Sequence, residues 1–272
     1  MTELTYSGVP ASVVRVGAVA KRHAFVLKRS PHRLFDVVMW PVVDTLLFGT
    51  IGVFASRNAG GAAQVPLYLM VGIVLWHVVY QAQIALSTGF LEETWSRNLL
   101  NLFTTPTREW EYIAGVALFG LVKLVVGVGA VALIAWTVYA FHITSLGFGL
   151  LPVVVLLMAI GMAISLFVIG LVLRFGSGAE ALAWGILFGI MPISGVFYPV
   201  SALPVVIRPI AQALPTTHTF VVGQTLAQGH PMPWGQLAIA ASATVGLLVV
   251  STAYAAWMLR IFRERGYVTR YS

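Results

Sequence analysis

Leu91-Glu92-Glu93-Thr94-Trp95-Ser96-Arg97-Asn98-Leu99-Leu100-Asn101-Leu102-Phe103-Thr104-Thr105-Pro106 is the stretch whose reading decides the fold. It lies between two long apolar runs and carries too much charge to cross a bilayer itself. Leu91, Trp95, Leu99 and Leu102 or Phe103 recur at helical spacing, while Glu92, Glu93, Ser96, Arg97 and Asn101 fall elsewhere around the helix. That pattern predicts a short surface helix with one apolar stripe, ended by Pro106. Such a helix suits the membrane interface or a groove on a partner protein, and an ordinary connection between spans fits as well.

The composition around it belongs to a membrane protein. Of 272 residues, 59% are apolar and 9% charged, against about 25% charged in a soluble domain, and the mean hydropathy is +0.90. There is no cysteine, which excludes disulfides and thiolate metal sites. The net charge of +7 reads first as a topology signal rather than as a nucleic-acid footprint. No compact apolar h-region of a cleavable signal peptide is present in the first thirty residues.

Outward from the opening stretch, residues 1–33 form an N-terminal segment in which 11–29 reads as an interfacial amphipathic helix. Arg15, Arg22 and Arg29 share one stripe, and Val13, Val16, Val19 and Val26 offer apolar surface. A simple positively charged anchor is the plainer reading of the same residues. Six apolar segments follow within 34–262, near 34–55, 65–90, 112–140, 146–173, 180–200 and 235–262. Each is long enough for a hydrocarbon core of about 30 Å, and residues 263–272 form a tail. Trp40-Pro41 and Pro192 predict kinks. The expected fold class is therefore an all-α integral membrane protein with six transmembrane helices, an N-terminal amphipathic helix, and the 91–106 helix after the second span.

Orientation follows from the basic residues. Arg15, Lys21, Arg22, Lys28, Arg29, Arg33, Arg97, Arg108, Arg174, Arg260, Arg263, Arg265 and Arg270 fall on one side of these spans, Arg57 and Arg208 on the other, and Lys123 inside. Both termini and the 91–106 helix are thus expected in the cytoplasm.

Between the fifth and sixth spans, 198–222 is apolar yet broken, with prolines at Pro199, Pro204, Pro209 and Pro215. It cannot be a straight span. A re-entrant outer hairpin is expected, its freed backbone groups satisfied by protein or a wet cavity, with a surface-lying loop as the alternative.

Catalytic motifs are missing. No Gly-x-x-x-x-Gly-Lys-Ser/Thr loop surrounds Lys21, Lys28 or Lys123, no Gly-x-Ser-x-Gly elbow occurs, and the six histidines never pair at metal-ligand spacing. Intramembrane polar groups remain. Asp44, Gln81 and Lys123 lie at similar depth, roughly 14–17 Å from the cytoplasmic end of their spans, and His77 is one turn further along the Gln81 face. An unpaired charge near midplane costs about 2.5–3.5 kcal/mol on insertion scales. An Asp44–Lys123 pair holding spans one and three together and a polar belt on a translocation path both follow from that depth.

Together these features resemble the membrane subunit of an ABC-2-type exporter. The resemblance rests on the order of the amphipathic helix and the spans, on the Glu92–Pro106 stretch, and on Ser194-Gly195-Val196-Phe197-Tyr198-Pro199-Val200 followed by Leu203-Pro204, Leu214-Pro215 and His218. The last pattern is most similar to nodulation lipo-oligosaccharide and daunorubicin-type permeases. Gln224 departs from it, standing where many such relatives carry arginine.

The resemblance implies that 91–106 is a coupling helix, with Glu92, Glu93, Trp95, Arg97 and Leu99 contacting a separate nucleotide-binding ATPase. It implies an outer gate at Tyr198, Pro199, Pro204, Pro215 and His218, while the depth-matched polar belt of Asp44, His77, Gln81 and Lys123 would line the translocation path. The chain would be a transport subunit, not an enzyme, with no cofactor of its own; ATP and Mg would be bound by the partner. A second permease copy or a related permease, membrane lipids, and a multi-pass place in the plasma (inner) membrane of a prokaryote are implied too. The cargo would be amphiphilic: a glycolipid, a lipid-linked glycan or a hydrophobic drug. The alternative classes are an ATP-independent channel or secondary transporter with Asp44, Lys123 and His77 as an ion relay, and a scaffold.

Overall fold

The computed structural model describes residues 11–58, 64–95, 105–140, 147–176, 178 and 180–264. Among them the regular structure is helical: α1 (Ala11–Lys28), α2 (Pro31–Asn58), α3 (Gln64–Trp95), α4 (Glu109–Tyr139), α5 (Leu150–Phe175), α6 (Glu180–Ile193), α7 (Arg208–Ala213), α8 (Pro215–Ala227) and α9 (Trp234–Glu264), with a 3-10 turn at Val200–Ala202. Proline opens α2 and α8, where its fixed φ is already helical and the missing N–H is one that no helix start can bond internally.

The bundle is organised on α3, which packs against α2, α4, α5, α6 and α8. Its most apolar eighteen-residue window is 89% buried, against 17% for the corresponding window of α9. An α3 apolar all round is what a central helix requires, since it has no solvent-facing side. Close approach to α5 depends on Gly161, where a Cβ would stand 2.6 Å from the Val79 carbonyl oxygen. The Ser165 hydroxyl donates to the Gln83 carbonyl beside it. Small residues thus let the backbones approach, as is common between membrane helices.

Packing registers set the directions. Gln81 meets Val37 and His77 meets Asp44, so α2 and α3 are antiparallel. Gly161 faces the Val79–Gln83 turn and Gly223 faces both Leu75 and Val153, so α3 and α5 run the same way. Tyr254 lies on Gly170, and Trp257 to Phe262 line one cavity with Leu173 to Phe175, so α5 and α9 are parallel as well. The α1 helix and the C-terminal end of α9 therefore share one end of the bundle.

Among the described residues, five helices are long and apolar enough to cross a membrane. The exception is the expected fifth span, 180–200, which is helical for only 14 residues, Glu180–Ile193. At 1.5 Å per residue that is about 21 Å, short of a core of about 30 Å. The helix stops because Pro192 withholds a donor and Gly195 takes φ +78°, a left-handed turn open to glycine at little cost.

The opening stretch also differs from its expected form. α3 continues unbroken through Leu91–Trp95, so these residues prolong the helix of the second span, which itself ends at Leu91, instead of beginning a separate helix. Neither glycine nor proline occurs from Phe90 to Thr105 to interrupt it, and Leu91 is buried in the same core as Phe90 and Tyr112. Residues 96–104, with Arg97 and Leu99, lie outside the described residues, as do 1–10 and 265–272.

Candidate functional site

At the α1 end of the bundle, one acid organises three segments. Glu111 at the third position of α4 accepts the Arg108 backbone N–H at 2.8 Å, which ties the helix start to itself. It also takes a two-pronged ion pair from Arg15 of α1: Nε donates to Oε2 at 2.7 Å and Nη2 to Oε1 at 2.7 Å. Arg15 Nη2 additionally donates to the Ser12 hydroxyl at 3.3 Å. The Glu111 side chain is fully covered while that of Arg15 remains 27% exposed. Hydrogen bonding to Glu111 raises the Arg15 pKa above its ordinary value, so the guanidinium stays charged.

Apolar contact extends this clamp along α1. Val19 and the Val16 carbonyl press on Gly115, where a Cβ would lie 2.6 Å from the Val19 Cβ. His23 stacks on Phe119 at 5.8 Å and meets Gly89 of α3. The amphipathic helix is thus fixed to α4 by charge at one end and by packing along its length. Sequence reading placed Arg15 on one stripe with Arg22 and Arg29 and passed over Glu111. The available signal was an acid three residues after the first residue of a helix start, the capping-box position.

Mid-bundle, the expected polar belt divides. Asp44 of α2 faces His77 of α3, with Oδ2 3.6 Å from Nε2, longer than a hydrogen bond. The Lys123 ammonium lies elsewhere, 5.3 Å from the Phe119 ring centroid, beside a cavity lined also by His23, Thr88 and Gly89. The expected Asp44–Lys123 pair is therefore not formed: the side chains at matched depth point to different helix neighbours. Nor does a single relay join Asp44, His77 and Lys123. Gln81 is buried, donates to the Val37 carbonyl at 3.2 Å and presses on Gly127 of α4, which makes it a tie between α2, α3 and α4.

At the far end, the broken segment satisfies its own backbone. Arg208 donates from Nε to the Leu203 carbonyl at 2.8 Å and from Nη2 to the Ser201 carbonyl at 2.7 Å. The Thr217 hydroxyl donates to the Ala211 carbonyl at 2.6 Å, and His218 Nε2 meets the Gln212 carbonyl at 2.8 Å. His218 Nδ1 lies 2.7 Å from the Gln236 side chain, linking α8 to α9.

The Ser194–Pro199 turn is stitched to α3 and α2: Tyr68 donates to the Gly195 carbonyl at 2.9 Å, Gln224 Nε2 donates to the Tyr68 carbonyl at 2.9 Å, and Phe197 stacks on Phe48 at 4.3 Å. Gln224 is a structural tie here. Tyr198 is half-buried, Pro199 and Pro204 are exposed, and Pro215 is buried at the start of α8. Val205 and Val206 are 71% and 84% exposed, so this apolar tip is left uncovered by the described residues. Between α5, α6, α8 and α9 opens a cleft of about 500 Å³, walled mainly by Ile160, Ile164, Ile186, Ile190 and Leu247.

A family model described as ABC-2 type transporter matches residues 15–224. No curated protein matches the chain. The matched region opens at Arg15 of the clamp and closes at Gln224 of the far-end turn, spanning α1 to α8. With its helical spans and this match over most of its length, the chain belongs to the ABC-2 type transporter family, as a multi-pass membrane component of transport that is not itself catalytic.

Proposed function

We propose that this chain is the permease subunit of an ATP-driven exporter that moves an amphiphilic substrate outward. A separate ABC-type ATPase would bind ATP and Mg and dock on the connection between α3 and α4, against Glu92, Glu93, Trp95, Arg97 and Leu99. Two permeases would pair, as a homodimer or with a related chain, in the plasma membrane of a prokaryote. The end bearing α1 would be cytoplasmic. The Ser194–His218 pattern is similar to that of nodulation lipo-oligosaccharide and daunorubicin-type permeases, which supports a cargo of that amphiphilic kind.

The observation that carries this reading is the Arg15–Glu111 clamp. It joins the amphipathic helix to the start of α4, immediately after the connection on which an ATPase would act. A push there is received by α1 and α4 together, and α3 enters the same connection from its other side. Rigid-body motion of packed helices then carries the movement to the far end. Nucleotide drives it to the extent that it binds the two states unequally.

Charge reversal at both Glu92 and Glu93 is expected to weaken binding of the proposed partner ATPase by about tenfold or more, the effect of losing a hot spot. Co-purification and stimulated ATP hydrolysis measure it. Normal binding and normal stimulation by the double variant would sink the assignment.

A further inference from the structure

Of the nine acidic residues, Asp44 alone lies deep within a long helix; the others sit in the N-terminal segment or near helix ends. Its carboxylate accepts no hydrogen bond from the described residues, and 31% of the side chain remains reachable from outside the protein. Its polar neighbour, His77, is 1% exposed and has no hydrogen bond on either ring nitrogen. Two adjacent polar groups in the middle of the bundle thus leave their bonding capacity unfilled, which is uncommon for buried groups.

The α3 face that carries His77 continues into aromatic rings. His77 meets Tyr80 edge-on at 5.9 Å, Tyr80 meets Trp184 of α6 at 6.1 Å, and Trp184 stacks on Phe188 at 6.4 Å. Phe188 is 65% exposed, so the run leads from the interior to the surface. Faces of such rings attract cations, most strongly at tryptophan.

We infer that Asp44 with the Tyr80–Trp184–Phe188 run forms a recognition site for an organic cation, so that the cargo is an amphiphile carrying positive charge on an apolar body. This deepens the exporter reading and rests on it. Asp44 supplies the counter-charge, the rings supply apolar contact and π faces, and His77 sets the inner wall. An anionic cargo would meet a carboxylate that forms no ion pair with a lysine or arginine among the described residues. A neutral glycan could stack on the rings and would leave Asp44 unanswered.

The test uses the purified full chain in detergent and two probes of the same shape and opposite charge, tetraphenylphosphonium and tetraphenylborate, measured by equilibrium binding. Tetraphenylphosphonium is expected to bind wild type in preference to the borate. Asp44→Asn should weaken it about tenfold, the loss of one charge-assisted contact. Trp184→Leu, which keeps the carboxylate, should weaken it severalfold, and Asp44→Lys should turn the preference toward the borate. Equal binding of both probes, no binding of the phosphonium by monodisperse wild type, or unchanged affinity in both Asp44→Asn and Trp184→Leu overturns the proposal. Binding needs no ATPase, so the two readings fail separately. Export that proves independent of ATP while phosphonium binding persists counts against the exporter alone. Intact ATP coupling without phosphonium binding counts against the cationic cargo alone.

Discussion

Arg15→Met is expected to be among the most damaging single substitutions in this chain, and more damaging than Glu111→Gln. The asymmetry comes from burial. Without Arg15, the Glu111 carboxylate loses its counter-charge and both guanidinium bonds, with the Arg108 N–H and the Ser12 hydroxyl as its remaining donors in the clamp. Without the charge of Glu111, Arg15 is 27% exposed and can turn its guanidinium toward water or lipid headgroups. Stranding a buried charge is costlier than removing both partners of the pair. Arg15→Met should therefore lower Tm in detergent by about 5–10 °C, Glu111→Gln by less, and the double variant should recover part of the loss. Thermal unfolding followed by size-exclusion chromatography measures all three. Additive losses in the double variant would show that the two residues act independently.

Gly72→Ala should act at the opposite end with comparable force. A Cβ at Gly72 would overlap the Val196 carbonyl oxygen and stand 2.9 Å from its carbon. The obstructing atoms are backbone, and that backbone is held on both sides. Gly195 is in its left-handed turn, with its carbonyl taken by Tyr68, and Ser194 is bonded to Thr216 at 2.7 Å. With nowhere to move, overpacking costs about 1–3 kcal/mol. Detachment of the 194–199 turn from α3 is the expected relief, so export should fall together with Tm. Gly129→Ala is the control: nothing lies within 4 Å of its added methyl, and a helix interior prefers alanine by roughly 0.5–1 kcal/mol. Equal Tm for the two variants would refute the wedge.

What the sequence by itself determined is whatever rests on local pattern. Apolar runs of span length are visible because a bilayer needs about 20 helical residues in succession, and five of six such runs form long helices. The amphipathic α1, the family, and the proline-broken outer segment were legible for the same reason: each is written in contiguous residues.

The tertiary structure alone decided which side chains meet. Asp44 and Lys123 matched in depth, and depth says nothing of rotation about the helix axis, so Asp44 reached His77 and Lys123 reached Phe119. Arg15 and Glu111, ninety-six residues apart, gave no joint signal, because their pairing depends on Gly115 letting α1 lie against α4. The fifth apolar run had the composition of a span, yet it ends at Ile193, where the following turn is drawn under α3 by Tyr68, Gln224 and the bare face of Gly72. Composition fixes what a segment can dissolve in. Contacts between distant segments fix whom it touches and how its end is held, since close packing admits few arrangements and covered backbone groups are costly to leave unpaired.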